Sequence, residues 1–259
     1  VENMYFNVFI YKMFNASATD ISLMVSASAI TAALTTLLIG ALSDRIAKRR
    51  LLISLGYILW GFSILSFALI RMDILTKLTG SLAQAASLGV SLVILMDCVM
   101  TFFGSSANDA AFNAWLTDCG TQENRGKIEG INSMMPLVAI LAVFGGFMAF
   151  NLDNSESWTS IFLIIGGIVI LIGIIGFFLI EDHISVNKEN QSTWLENVIY
   201  SFRPSVVKNN KLLYVVSISF AVFCISIQVF MPYLILYYEK TLGMTDYVLI
   251  MAPAVILAA

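Results

Sequence analysis

Charged side chains are scarce in this sequence. Asp, Glu, Lys and Arg make up 12% of the 259 residues, whereas apolar residues make up 59%. Ordinary soluble domains contain about 25% charged residues, so the composition argues against a soluble protein. The net charge of −3 is too small to favour nucleic acid or another strongly charged partner. The lipid bilayer is therefore the partner that the composition predicts.

Residues that commonly bind metals or activate nucleophiles are equally few. The chain has three cysteines, Cys98, Cys119 and Cys224, and a single histidine, His183. The cysteines match no metal or disulfide spacing, so we interpret them as packing residues. An intramembrane enzyme would need a nucleophile with a base, or metal ligands such as two His on one helix. The sequence therefore predicts a protein that is not an enzyme and has no metal site or cofactor.

Long runs without a charged residue fill most of the chain. They cover residues 21–42, 51–70, 130–152, 157–180 and 212–238, and a further apolar run at 78–108 is interrupted only by Asp97. Because a transmembrane helix needs about 20 mainly apolar residues, these runs are predicted to form spans two to seven, with span four at about 88–117. The shorter runs 3–11 and 247–259 are expected to be halves of spans one and eight in a longer protein.

Positive charge is concentrated on one side of these spans. The turn 43–50 contains four Lys or Arg, and the loops on its side contain ten, against three on the opposite side when Lys12 at a helix end is left aside. Cytoplasmic loops of membrane proteins carry an excess of Lys and Arg. We therefore expect a multi-pass protein of the plasma membrane with this turn, and the N-terminus of the full chain, in the cytoplasm.

The same turn carries a motif. Gly40-x-x-x-Asp44-Arg45, followed by basic residues that include Arg49 and Arg50, resembles the loop between helices two and three of major facilitator superfamily transporters. That family pairs the loop with an acidic residue at the end of helix four and an Arg in the next loop, and residues 108–118 and 123–127 look like that region. The resemblance implies a cytoplasmic charge network that locks the outward-open state, formed by Asp44, Arg45, Arg49, Asp118 and Arg125.

The resemblance also implies the architecture. We expect an all-α integral membrane protein, a bundle of the facilitator superfamily type that comprises the first six-helix half and the start of the second. Residues 1–180 would form the N-terminal half with a truncated first span, 181–211 a cytoplasmic connector, and 212–259 the start of the C-terminal half. Apolar residues at helical spacing within 194–202 predict an amphipathic helix on the membrane surface, with a soluble linker helix as the alternative.

Polar residues inside the spans are the candidates for function, because lipid penalises them and they usually line a water-filled cavity. In span four one stripe combines Asp97, Thr101, Gly104, Ser105 and Asn108, and Asp109 and Asn113 form a neighbouring stripe. At about 1.5 Å per residue, Asp97 lies roughly 9 Å outside the membrane midplane and Asp109 roughly 9 Å inside it. Asp109 is the stronger cavity candidate, since Asp97 could instead extend outward to the membrane surface.

Spans one and seven supply further candidates. Glu2 lies about 18 Å of helix from the outer end of span one, near the bilayer centre, with Asn3 and Asn7 on a neighbouring face; alternatively, Glu2 caps a short helix. In span seven, Gln228 lies near mid-membrane and Tyr233 lies one turn beyond it. Both are candidates for contact with a substrate.

These features predict a monomeric secondary active transporter that moves a small polar solute, such as a sugar, by alternating access. Coupling to H⁺ or Na⁺ would use Glu2 or Asp109. Asp109 followed by Arg125 also resembles the helix-four acidic site of the cation-coupled glycoside symporters. One alternative is proton-driven export of amphipathic compounds, since the chain has 12 Met and 18 Phe. The other is a transport-inactive sensor or scaffold on the same fold.

Overall fold

The structure, a computed structural model, describes residues 2–46, 48–121, 123–147, 150–181, 200, 203–230, 233 and 236–243. Of these, residues 2–4, 44–46, 144, 228 and 230 are described by their backbone alone. All regular secondary structure in these ranges is helical. The predicted amphipathic helix, apart from residue 200, and the predicted eighth span at 247–259 lie outside the described residues.

Among the described residues, five helical segments are long and apolar enough to cross a membrane, and one of them is a continuous helix of 38 residues over Leu82–Cys119. In chain order the elements are α1 (Glu2–Phe14), α2 (Ala18–Ile46), α3 (Arg49–Phe67), α4 (Met72–Thr79), α5 (Leu82–Gly104), the π-helix π1 (Ser105–Phe112), α6 (Asn113–Cys119), α7 (Arg125–Phe147), α8 (Ser155–Leu179), α9 (Pro204–Asn209), α10 (Lys211–Phe230) and the π-helix π2 (Tyr237–Thr241).

Local sequence explains the sharp reversal between α1 and α2. Asn15 adopts a left-handed conformation with φ 55°, which asparagine tolerates better than most residues. The backbone N–H of Ser17 donates to Asp20 Oδ2 at 2.8 Å, and the backbone N–H of Asp20 donates to Ser17 Oγ at 3.2 Å. This reciprocal pairing is a capping box, and it starts α2 three residues before the uncharged run of span two.

The core of the bundle is an aromatic cluster around α1. Phe6 packs edge-on against Phe67 of α3 with ring centroids 4.7 Å apart, and Phe9 packs edge-on against Phe162 of α8 at 5.0 Å. Edge-to-face geometry is favourable for aromatic pairs. Helices α3 and α8 themselves approach closely, because a Cβ at Gly61 would lie only 2.8 Å from the Gly166 carbonyl oxygen. Small residues at such crossings are typical of membrane helices.

The helices alternate in direction, so the bundle has two distinct ends. The basic end contains the turn 43–50, the end of α6 and the end of α8. The opposite end, which we call the Lys12 end, contains the α1–α2 turn, α4, the α7–α8 turn and π2. The two ends hold different sets of polar contacts, described next.

Candidate functional site

The helix of span four changes its winding where the predicted site residues lie. Ser105–Phe112 is π-helical between α5 and α6, and π segments within α-helices frequently occur at functional sites. Asn108 and Asp109 lie inside π1, and Asn113 follows it directly. We did not predict this segment from the sequence. The local sequence feature that could indicate a π-helix is the run of small and polar residues Ser105-Ser106-Ala107-Asn108. Such short side chains contribute little packing that would stabilise a regular α-helix.

Close approach to α3 positions π1. A Cβ at Gly56 would lie 2.6 Å from the Cβ of Ala107, so only glycine allows the two backbones to come this close. The next residue, Tyr57, donates from its hydroxyl to Asn108 Oδ1 at 3.0 Å. Tyr57 was not among the predicted site residues, because a tyrosine within the apolar run of span three suits lipid and helix packing alike.

Asn108 links Tyr57 to the carboxylate of Asp109 by hydrogen bonds. Its Nδ2 donates to Asp109 Oδ1 at 3.1 Å, and Asn113 Nδ2 donates to the Asp109 carbonyl oxygen at 3.2 Å. The side chains of Asp109 and Asn113 are exposed. The structure therefore brings three of the predicted residues together as a carboxylate with two amide neighbours. Tyr57 hydrogen-bonds to one of these amides, that of Asn108. We call Tyr57, Asn108, Asp109 and Asn113 the π1 cluster.

The other predicted stripe of span four faces the interior of the bundle. Thr101 Oγ1 shares a hydrogen bond of 2.6 Å with Ser28 Oγ of α2, and a Cβ at Gly104 would meet the Trp60 ring of α3 at 3.0 Å. Asp97 is 1% exposed, so the alternative in which it extends to the membrane surface is wrong. About 18 Å of helix separates it from Asp109, and the structure does not bring these two acids together.

The predicted residues of spans one and seven are described only in part. Asn7 is fully buried in the core at 0% exposure, whereas the side chains of Glu2, Asn3 and Gln228 lie outside the described set. Tyr233 lies at the Lys12 end, where its hydroxyl shares a 2.8 Å hydrogen bond with Ser22 Oγ and donates to the Ala18 carbonyl oxygen at 3.2 Å. The structure thus places Tyr233 on the first turn of α2, away from the π1 cluster.

At the basic end, Arg49 is the centre of the charged contacts. Its Nε donates to Asp118 Oδ2 at 2.6 Å and its Nη1 donates to Ser43 Oγ at 3.0 Å. Arg49 is only 6% exposed, and a charge taken so far out of water needs a partner. The contacts join the basic ends of α2, α3 and α6, and Ser43 was not predicted to take part.

Two other basic residues of the predicted cytoplasmic motif, Arg50 and Arg125, have described side chains. The guanidinium of Arg50 lies 4.6 Å from the Phe177 ring centroid, a cation–π contact. Arg125 is exposed, and no ion pair of Arg125 occurs within the described ranges. Gly40 makes no close helix contact within the described part of the chain, since nothing there lies within 4 Å of a Cβ built on it. The side chains of Asp44 and Arg45 lie outside the description.

Among the described residues, no three His, Cys, Asp or Glu side chains come together in a way that could hold a metal ion. The chemistry that the described site offers is therefore hydrogen bonding and charge: one exposed carboxylate, two amides and a phenol.

Apolar helices of membrane-spanning length, with polar clusters inside the bundle and charged contacts at both ends, define a multi-pass membrane protein. Residues 3–259 match the family model of the Major Facilitator Superfamily, and the chain belongs to this family of membrane transporters. Comparisons with curated proteins and with solved structures found no match. The predicted fold class, an all-α bundle of the facilitator superfamily type, is confirmed.

Proposed function

We propose that this transporter moves a small polar solute by alternating access and couples the movement to H⁺ or Na⁺ at Asp109. The observation that carries the proposal is the π1 cluster. It offers a carboxylate on a locally rewound stretch of a membrane-spanning helix, with one oxygen hydrogen-bonded to Asn108. Ionisable residues inside membrane spans commonly mark ion or proton pathways.

The geometry suits reversible ion binding. Asp109 is exposed on the bundle, so a cation can reach it. Asn108, which accepts a hydrogen bond from Tyr57, donates to one of its carboxylate oxygens. Carboxylate and amide oxygens are hard ligands that suit Na⁺, and a carboxylate can equally take up a proton. One charge moved through the membrane potential contributes about 2.3 kcal/mol per 100 mV, or roughly 40-fold accumulation of the solute.

The substrate we propose is a hydroxyl-rich solute such as a sugar, bound beside the π1 cluster and between the two halves of the transporter. Amides both donate and accept hydrogen bonds, so the exposed Asn113 and the half-buried Asn108 can pair with sugar hydroxyls. The excess of basic residues favours placing the basic end in the cytoplasm, and the direction of transport that we propose is uptake across the plasma membrane.

Export of amphipathic compounds is the alternative proposal. It needs aromatic side chains that are free to line an apolar pocket. Phe6, Phe9 and Phe14 of α1 are each at most 7% exposed and pack into the core, whereas Phe62, Phe102 and Phe220 are each at least 42% exposed.

The test is Asp109→Asn in the full-length protein, reconstituted into liposomes. A panel of sugars is offered under an imposed Na⁺ or H⁺ gradient, and both accumulation and solute exchange without a gradient are measured. We expect Asp109→Asn to abolish accumulation and to retain exchange, because the amide keeps the hydrogen bond but cannot be charged. Asp73→Asn, an exposed acid at the Lys12 end, serves as the control. Undiminished accumulation by Asp109→Asn refutes the coupling role.

A further inference from the structure

One lysine joins three separate elements at the Lys12 end. Lys12 Nζ lies 3.0 Å from Asp153 Oδ1 and 3.1 Å from Glu239 Oε2. Asp153 belongs to the turn between α7 and α8, whereas Glu239 belongs to π2, beyond α10. The Lys12 side chain is 12% exposed, Glu239 24% and Asp153 75%. An ammonium has three N–H donors, so it can hold both carboxylates at once.

A second contact ties the same late segment to the start of the chain. Tyr233 hydrogen-bonds with Ser22 Oγ at 2.8 Å and with the Ala18 carbonyl oxygen at 3.2 Å. Tyr233 and Glu239 both follow α10, whereas Lys12, Ala18 and Ser22 belong to α1 and α2. In the two-half architecture of the family, these contacts cross from one half to the other.

We infer that Lys12, Glu239 and Tyr233 form a clasp that closes the Lys12 end of the transporter, and that Asp153 is the partner that Lys12 retains when the clasp opens. The inference rests on the proposed alternating access. Separating the halves removes Glu239 from Lys12, and leaving a largely buried charge without a partner is costly. Asp153 lies in the same half as Lys12 and lowers that cost, so that the open and closed states stay close in energy.

The two acids therefore have opposite effects on the equilibrium. Glu239→Gln weakens only the closed state, because Glu239 pairs with Lys12 only while the clasp is shut, and the protein shifts toward the open state. Asp153→Asn weakens the open state more, because Asp153 is then the remaining partner of Lys12, and the protein shifts toward the closed state. A general loss of negative charge at this end would shift both variants in the same direction.

The experiment measures access from the Lys12 end. In the full-length protein with Cys98→Ser, Cys119→Ser and Cys224→Ser, Ser26→Cys is the reporter, because it lies one turn deeper than Ser22 on the same face of α2. A membrane-impermeant maleimide reports how often this face is open. We expect Glu239→Gln to raise the labelling rate about three- to fivefold, the size expected for one partly exposed ion pair, and Asp153→Asn to lower it.

Matched controls use the same end of the molecule. Arg71 Nε donates to Asp73 Oδ1 at 3.0 Å within one segment, and this hydrogen bond lowers the pKa of the Asp73 carboxyl, so Asp73→Asn removes a charge without touching the clasp. Its labelling rate should equal that of the reporter protein. Tyr233→Phe should raise labelling as Glu239→Gln does, whereas Tyr237→Phe, at an exposed ring, should not.

Two results overturn the inference: wild-type labelling in Glu239→Gln, or a rise in Asp153→Asn as large as that in Glu239→Gln. The double exchange Lys12→Glu with Glu239→Lys should restore the closed state if the pair acts directly. Labelling needs neither a solute nor a gradient. A labelling response without solute accumulation would uphold the clasp and refute the proposed coupling. Solute accumulation together with an unchanged labelling rate would refute the clasp and uphold the proposed coupling.

Discussion

At the scale of single residues, Tyr57 is the side chain whose role only the structure reveals. Asp109 and Asn108 are identifiable in the sequence because a carboxylate and an amide in an apolar run are costly and need a reason. A tyrosine is not costly in the same way, since its ring suits lipid and packing alike. Its contact with Asn108 joins residues 51 positions apart in the chain, and no local pattern encodes that distance.

Removing the Tyr57 hydroxyl tests whether it positions the acid. We expect Tyr57→Phe to weaken the apparent affinity for the coupling cation about threefold to tenfold, because one hydrogen bond contributes about 0.5–1.5 kcal/mol net. The maximal transport rate should change less, since the carboxylate remains. The measurement is solute accumulation in liposomes at increasing Na⁺ and, separately, at decreasing pH.

A control for Tyr57→Phe is available in the same fold. Tyr214→Phe alters an aromatic residue of α10 far along the chain from the π1 cluster, and it should leave the cation dependence unchanged. Equal cation dependence in Tyr57→Phe and the parent protein would show that Asn108 and Asp109 hold their arrangement without the phenol.

At the scale of elements, the membrane spans could be predicted from the sequence, because lipid favours helices without charged residues. The uncharged run 21–42 lies within α2, and 157–180 nearly coincides with α8. The sequence did not reveal α4, which is too short to show an apolar run, or π1. A π turn depends on how a helix packs against its neighbours. The α-helical spacing from which the polar stripes of span four were predicted therefore applies as far as Gly104, and π1 begins at Ser105.

Gly56 is the residue that should decide whether π1 keeps its place on α3. Gly56→Ala introduces a Cβ 2.6 Å from the Ala107 Cβ, and such overpacking costs about 1–3 kcal/mol. We expect a lower midpoint of thermal unfolding in detergent, together with reduced accumulation, because moving π1 away from α3 stretches the contact between Tyr57 and Asn108.

Gly167→Ala is the matched control for that substitution. Gly167 lies in the membrane-spanning helix α8, and nothing lies within 4 Å of a Cβ built there. Alanine favours a helix over glycine by about 1 kcal/mol, so Gly167→Ala should be neutral or slightly stabilising. Equal unfolding midpoints for the two variants would contradict the close approach of π1 to α3.

At the scale of the whole molecule, the contacts at the two ends differ in kind. The ion pair of Arg49 with Asp118 joins residues of the N-terminal half. The clasp instead pairs Lys12 of α1 with Glu239, which follows α10. A pair inside one half can survive rocking of the halves. We propose that the Arg49 network stabilises the state open at the Lys12 end, as the resemblance implies; such a role requires a further contact of this network with the second half.

That proposal predicts the direction in which the labelling rate should change. If the Arg49 network stabilises the state open at the Lys12 end, Asp118→Asn should lower the labelling rate of Ser26→Cys, opposite to the effect of Glu239→Gln. Glu123→Gln, an exposed acid at the basic end, is the control and should leave the rate unchanged. A rate unaffected by Asp118→Asn would mean that the pair with Arg49 only braces the ends of α2, α3 and α6.

The double variant Asp118→Asn with Glu239→Gln then asks whether the two ends act on one equilibrium. The sites lie at opposite ends of membrane-length helices, and free-energy effects of sites more than about 10 Å apart usually add within about 0.5 kcal/mol. If the halves rock between two states as rigid bodies, the fold-change of the double variant should equal the product of the single fold-changes. A double variant that labels like Glu239→Gln alone would show that opening the clasp does not depend on the basic end.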